Sequence, residues 1–301
     1  MPPDIRSIRR GLWFMVSACF LFSLMAASVQ AALKVEPAMP APVTSFIRVS
    51  INLLVLWGPL FSPGRLKMLF GDGRVSLWLR GLFGGTALML SFSAIQRIGI
   101  GESAFIQSSN SVFIALLAPW VLGQRNTWAA WLAIAGAMAG LWLLLDPRLG
   151  QADALGRWMA LAAGWFTALA YLMVARSGRG NRPETVVFYF CLVALLLHLI
   201  YFAVVGWYWP VQRETWAFLL MAGLSASAAQ HALTRAYQLA PAALNAAVNY
   251  LYPVFGLMWS VSLFGMTPTL PALAGCALIL VCGVLLPFLR VGKAARSDLA
   301  P

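Results

Sequence analysis

The chain has 301 residues, of which 61% are hydrophobic and only 10% charged. Soluble domains run nearer roughly 45–50% apolar and about 25% charged, so a water-soluble globular protein is excluded and an integral membrane protein is indicated. The net charge of +12 is scattered in ones to threes between apolar runs, without a long basic block or a nucleic-acid motif; the partner it implies is the lipid bilayer, and no nucleic acid.

A bilayer core about 30 Å thick takes roughly 20 helical residues. Apolar runs of that length predict spans at 11–33, 41–61, 75–96, 101–122 and 127–146, followed by 153–174, 184–206, 215–237, 241–264 and 269–289. The first run has a basic lead in Arg6, Arg9 and Arg10, but it is longer than the roughly 7–15 apolar residues of a signal peptide, so it is expected to be a retained span. Only 62–74, SPGRLKMLFGDGR, reads as a substantial hydrophilic connection. Cys19, Cys191, Cys276 and Cys282 all lie within apolar runs and read as small packing residues.

Basic residues set the orientation. With the N-terminus inside, fifteen Lys and Arg residues fall on the cytoplasmic side, Arg74, Arg80, Arg176 and Arg235 among them. Five fall outside, namely Lys34, Arg97, Arg148, Arg157 and Arg213, and Arg48 is left within a span. Both termini are therefore expected in the cytoplasm.

Sliding the chain on itself by 142 positions aligns Ala94 with Ala236, Gln96 with Gln238, Val112–Phe113 with Val254–Phe255, Gly123 with Gly265 and Thr127 with Thr269. Five spans per half is an odd number, so the second half enters the membrane in the opposite sense. The expectation is an all-α polytopic membrane protein of ten transmembrane helices, built as two inverted five-helix repeats around a central cavity. The repeats occupy 11–146 and 153–289, and 290–301 forms a cytoplasmic tail.

Within the fourth span, ESAFIQSSNSVF at 102–113 is polar beside the oily IALLAPWVL. On a continuous helix Ser103, Gln107 and Asn110 share one face. Adding 142 gives Asn245, Asn249 and Tyr252 on the ninth span, again on one face. Facing lipid would be costly for such a set, so the paired stripes are expected to line the cavity. Arg48, with Ser45 and Asn52 on its face, offers a fixed charge for a carboxylate or phosphate, or a structural pair with Glu102. His231, beside Gln230, could bind a ligand or titrate during transport, and His198 lies in an apolar, structural setting. Trp165 and Tyr171 could stack on a ligand. Gly84–Gly85 and Gly136-x-x-x-Gly140 offer close helix contacts, the latter a spacing on which a homodimer could form.

Apart from Asp146, Asp153 and Glu184, the terminal residues of their spans, Glu102 near an interface is the one acid within a predicted span, so proton coupling would fall to Glu102 or His231. No nucleotide-binding loop, metal cluster or nucleophile–base constellation occurs in the connections, so no cofactor, no metal and no enzymatic activity are expected.

IRVSINLLVL in the second span, ESAFIQSSNSVFIALLAPWVLGQRNTWAAWLAIAGAMAGLWLLL across the fourth and fifth, and ALTRAYQLAPAALNAAVNYLYPVFGLMWSVSLFGMTPTLPALAGCALILVCGVLL in the second half resemble the EamA family of the drug/metabolite transporter superfamily. The resemblance implies ten helices with both ends cytoplasmic, spans five and ten lying outside the cavity, and transport of small metabolites such as amino acids, S-adenosylmethionine, nucleotide-like compounds or riboflavin. Arg48 matches the family's basic position in span two, whereas Gln124 and Met266 stand where the family often has a glutamate. The expected function is secondary transport of a small polar metabolite across a bacterial inner membrane by alternating access. The alternative is a channel-like or sensory membrane protein without a carrier cycle.

Overall fold

The computed structural model describes residues 5–57, 69–122, 153–177, 180–240 and 248–266, with the single positions 128, 131–132, 135–136, 139, 245, 268, 270, 273–275, 277–278 and 280–281. The predicted fifth and tenth spans, Gln124, Cys276, Cys282 and most of the 62–74 connection therefore lie largely outside the described residues. Among these residues the regular structure is helical, without strands. The helices are α1 (Ile5–Val35), α2 (Ala41–Trp57), α3 (Val75–Gln107), α4 (Asn110–Leu122), α5 (Ala154–Ser177), α6 (Pro183–Val205), α7 (Arg213–Leu239) and α8 (Leu251–Phe264).

Among the described residues, four stretches are long and apolar enough to cross a membrane: Arg6–Val35, Val75–Leu117, Ala154–Ser177 and Pro183–Val205. The surface of the bundle is oily too, with Trp13, Leu54, Val75, Trp120, Val204 and Leu220 exposed. Such a surface suits hydrocarbon as its solvent, because helices satisfy their own backbone groups and leave only side chains to face lipid.

α3 runs for 33 residues, far longer than one crossing needs. It is two helical segments joined at Gly99, whose φ of 77° and ψ of 170° are not helical. Ser91 and Gln107 prove the reversal. They lie sixteen residues apart, and the Ser91 hydroxyl donates to Gln107 Oε1 at 2.7 Å; on a straight helix they would be about 24 Å apart. Glycine is required at this positive φ. The Gln30 side chain secures the turn, accepting from the Ile100 N–H at 2.7 Å. Gln96, just before the turn, receives the Ala41 N–H at 3.2 Å and donates to the Met39 carbonyl at 3.1 Å, so it caps the start of α2.

The fourth span differs from the expected continuous helix. It breaks at Ser108–Ser109, where the backbone tightens to bonds from Ser109 to Ile106 and from Ser111 to Ser108. Gly164 of α5 permits this, because a Cβ there would sit 2.7 Å from Ser109 Oγ and 3.2 Å from the Gln107 carbonyl. A second break falls at Tyr250, immediately before α8, and position 250 is 142 residues beyond Ser108.

The helix contacts also come in matched sets. α1 packs along α7 and α3 along α5; α2 meets α7 and α3 meets α6; α1 meets α8 and α4 meets α5. Each pair exchanges into its mate when the spans of one half are swapped for those of the other. The largest core lies between α1, α2, α3, α6 and α7, where Phe92, Leu77, Leu219 and Met39 are fully enclosed.

Candidate functional site

A cavity of about 110 Å³ lies where the two breaks meet. Both halves contribute to it. The first supplies Arg48 from α2, Arg80, Gly84 and Ser91 from α3, Gln107, and Asn110 from the start of α4. The second supplies Thr167 and Tyr171 from α5, Phe190 from α6, Gln230 from α7, and Asn249 and Tyr252 around the second break.

A polar relay leads up to the first break. Gln107 accepts from Ser91 and donates through Nε2 to Ser103 Oγ at 2.7 Å. Asn249 Nδ2 donates to Asn110 Oδ1 at 3.4 Å and ties the two broken spans together. These broken helices give the site donors and acceptors that an unbroken apolar helix would hide, an arrangement found at the midplane of many transporters.

Among the described residues that line this cavity, the charged ones are both arginines. Arg48 is 3% exposed and Arg80 4% exposed. Neither forms an ion pair or hydrogen bond with any described residue, and the Nε of each is buried without a partner. Their contacts are aromatic. The Arg80 guanidinium carbon lies 4.6 Å from the centre of the Phe190 ring, and that of Arg48 lies 5.8 Å from the same ring and 5.9 Å from Phe92. Gly84, one turn beyond Arg80, leaves the space that the Arg80 guanidinium fills.

One expectation needs correction. Glu102 does not pair with Arg48; it accepts from Arg157 Nε at 2.5 Å, in a separate recess of about 490 Å³ shared with Gln30, Lys34, Gly99 and Met266. Arg157 lies in the first turn of α5, which brings its guanidinium to the carboxylate. Arg80, counted above with the cytoplasmic basic residues, is a buried residue of the cavity wall. It lies one and a half turns inside α3, and the adjacent Gly84 lets its side chain turn inward.

The other sequence candidates separate by position. Arg48, Gln107, Asn110, Asn249 and Tyr252 meet at the cavity, as do Tyr171 and Gln230. Ser103 is buried one turn away and serves Gln107. Asn245 donates to the carbonyls of Ala236 and Ala240 at 2.9 and 3.1 Å, closing the end of α7. Asn52 is fully buried with its Oδ1 and Nδ2 unpartnered, outside the cavity wall. His231 is half-buried and also outside that wall. His198 is enclosed, its Nδ1 donating to the Ala194 carbonyl at 2.6 Å and its Nε2 lying 2.5 Å from Ser45 Oγ. Trp165 packs edge-on against Phe113. Reading single residues missed Arg80, Ser91, Thr167 and Phe190. For Arg80 the signal was Gly84 four residues on, which clears the same helix face.

Glu36 links the halves at the end of the bundle near Gly99. Its carboxylate accepts from the Tyr208 hydroxyl at 2.7 Å and from the Val211 and Gln212 N–H groups at 3.0 and 3.4 Å. Burial alone would raise its pKa, but these hydrogen bonds outweigh it and hold the group below its ordinary value. Asp153, at the same end, is lowered chiefly by the hydrogen bond from Arg97.

The helical fold, its oily surface and the cavity between its helices define a multi-pass membrane protein. The chain belongs to the EamA-like transporter family, whose model matches residues 9–146 and again 154–288. Its relatives are transporters, not enzymes. An uncharacterized transporter of Helicobacter pylori strain J99 is 27% identical, with 93% of this chain and 96% of that protein aligned. The pseudopaline exporter CntI of Pseudomonas aeruginosa strain UCBPP-PA14 is 25% identical over 95% of this chain and 98% of its own length. The riboflavin transporter of Vibrio cholerae is 22% identical over 90% and 91%. A solved crystal structure superposes with a TM-score of 0.67 at 20% identity, covering 96% of this chain and 99% of the other, which supports the fold.

Proposed function

We propose that the protein is a secondary carrier of a small polar metabolite, working by alternating access across a bacterial inner membrane. The carrying observation is the cavity itself, enclosed by residues of both halves at two breaks 142 positions apart. A carrier needs a central site that two rocking halves can expose in turn. Two further observations support the two-repeat reading with ten spans: the family model fits the chain twice, and the helix contacts exchange in pairs. In this reading Arg48 anchors an anionic group while Gln107, Asn110, Gln230 and Asn249 meet the remaining polar atoms. Both termini face the cytoplasm, an orientation supported by the basic loops even when the buried Arg80 is left out of the count. Relatives named for pseudopaline and for riboflavin support a polar metabolite as cargo without fixing which one.

The test is counterflow in proteoliposomes. Vesicles preloaded with amino acids, dicarboxylates, S-adenosylmethionine or riboflavin are given the labelled compound outside. Saturable uptake stimulated by the preload is expected for one class. Linear, unsaturable flux would instead indicate a channel.

A further inference from the structure

We infer that the cargo carries two separate anionic groups, one received by Arg48 and the other by Arg80. This deepens the carrier reading and rests on it for the word cargo, but it concerns the site and can be tested without transport.

The argument begins from charge. Two guanidinium groups, each more than nine-tenths buried, share one small cavity and one aromatic ring. None of the six described acids, Glu36, Asp72, Glu102, Asp153, Glu184 and Glu214, lines that cavity. Arginine remains protonated in proteins, so both charges persist, and leaving a buried charge uncompensated is strongly unfavourable. Pi-face contacts with Phe190 and Phe92 offset part of that cost, but they leave the in-plane N–H donors of each fork unused. Those donors match the paired oxygens of a carboxylate or phosphate. A monoanion on one guanidinium would leave the other unmatched.

The same geometry disfavours other cargoes. A zwitterionic amino acid would bring its ammonium among two guanidinium groups with no carboxylate to receive it. A net cation such as S-adenosylmethionine faces the same repulsion more strongly. Drug-sized ligands occupy pockets of roughly 300–1,000 Å³, whereas this cavity measures about 110 Å³, so a compact dianion fits the observed conformation better than a flavin. The uncharged backbone or hydroxyl portion of such a molecule would meet Gln107, Asn110 and Asn249.

The experiment uses the full chain in lipid nanodiscs and measures binding by calorimetry. The probes are succinate, glutarate and adipate, each beside its mono-amide, with phosphonoacetate as a phosphonate–carboxylate pair. The expected result is that at least one dianion binds about tenfold or more tightly than its mono-amide, since a charge-assisted pair is lost in the latter. That advantage should vanish in Arg80→Gln and persist in Arg80→Lys, with melting temperature recording that each variant is folded. If Arg80→Gln does not fold, the comparison of dianion with mono-amide in the wild type and in Arg80→Lys decides. Binding of the dicarboxylates or of phosphonoacetate separates the two kinds of anionic pair. Equal binding of dianion and mono-amide, or no binding by any probe, overturns the inference. Counterflow then separates this inference from the carrier reading: dianion binding without counterflow counts against a carrier alone, and counterflow of a zwitterion without dianion binding counts against the two-anion cargo alone.

Discussion

Asn249 and Asn110 are hydrogen-bonded across the cavity, Nδ2 to Oδ1 at 3.4 Å, although 139 positions separate them. Each stands at the break of its own span, so this one long bond joins the two halves where the carrier would have to move. A bond of that length is easily exchanged for one to a ligand.

Asn249→Ala is therefore expected to insert and fold while transporting poorly. Loss of one neutral hydrogen bond corresponds to about 1 kcal/mol, or roughly fivefold in apparent affinity. Initial rates of counterflow against substrate concentration, with a melting curve on the same sample, check both halves of the statement. Normal transport would remove the amide from the site.

Gly99 carries the reversal between the third and fourth spans. Its φ of 77° lies in the region that side chains avoid, and a Cβ there would meet Met266 Cε at 3.0 Å. Gly99→Ala should cost about 1–2 kcal/mol, read as a lower melting temperature in detergent. Gly265, also at positive φ but with open space around it, provides the comparison for strain without contact.

How far the sequence spoke is best seen in these same segments. The helical, membrane-spanning character of the described residues followed from apolar length alone, and the turn at 97–100 from the run of hydropathy ending there. The stripe Ser103, Gln107 and Asn110 was read on an unbroken helix, where spacing puts all three on one face. In the structure Ser103 serves Gln107 as a hydrogen-bond partner one turn back on the same helix, and the break at Ser108–Ser109 places Asn110 at a new helix start. Such a break depends on Gly164 from a span more than fifty residues away, a tertiary fact that no local pattern records. Asn245 illustrates the converse. Its polarity was legible, but only the fold reveals that the carbonyls of Ala236 and Ala240 use it. Arg80 was hidden because an arginine near a span end fits the positive-inside pattern as well as it fits a buried site.

Glu36 makes one end of the bundle sensitive to acid. Its folded pKa lies below the unfolded value, so its contribution is present above the ordinary carboxylate pKa of about 4.3 and is lost as pH falls through the lower, folded value. Wild-type melting temperature should thus drop on acidification below about pH 4.3. Glu36→Gln should be less stable near neutrality and should lose that part of the acid dependence. Parallel melting curves for the two proteins from neutral to acidic pH provide the check.

Glu102 is held by Arg157 and lies apart from the central cavity. Glu102→Gln should consequently leave the pH profile of transport unchanged while lowering stability by about 1–3 kcal/mol, the range for weakening a hydrogen bond to a charged group. A flattened transport profile in this variant would instead make Glu102 a coupling residue. His231→Gln, measured beside it, tests the remaining titratable candidate.

Gly84 tests the two-arginine site without removing either charge. The space above its Cα is filled by Arg80 Nη1 and bounded by Phe190, whose nearest carbon would lie 2.9 Å from an added Cβ. Gly84→Ala must push the guanidinium off its place on the ring, because the aromatic side cannot yield as readily as the flexible arginine. The net charge of the cavity is unchanged, so nonspecific attraction for anions remains; what changes is the distance between the two receiving groups. The expected outcome is a loss of dianion affinity of about tenfold, comparable to one charge-assisted hydrogen bond, with little change for the mono-amides. Equal losses for both would mean that the methyl group merely fills the cavity, and unchanged affinity would place Arg80 outside recognition altogether.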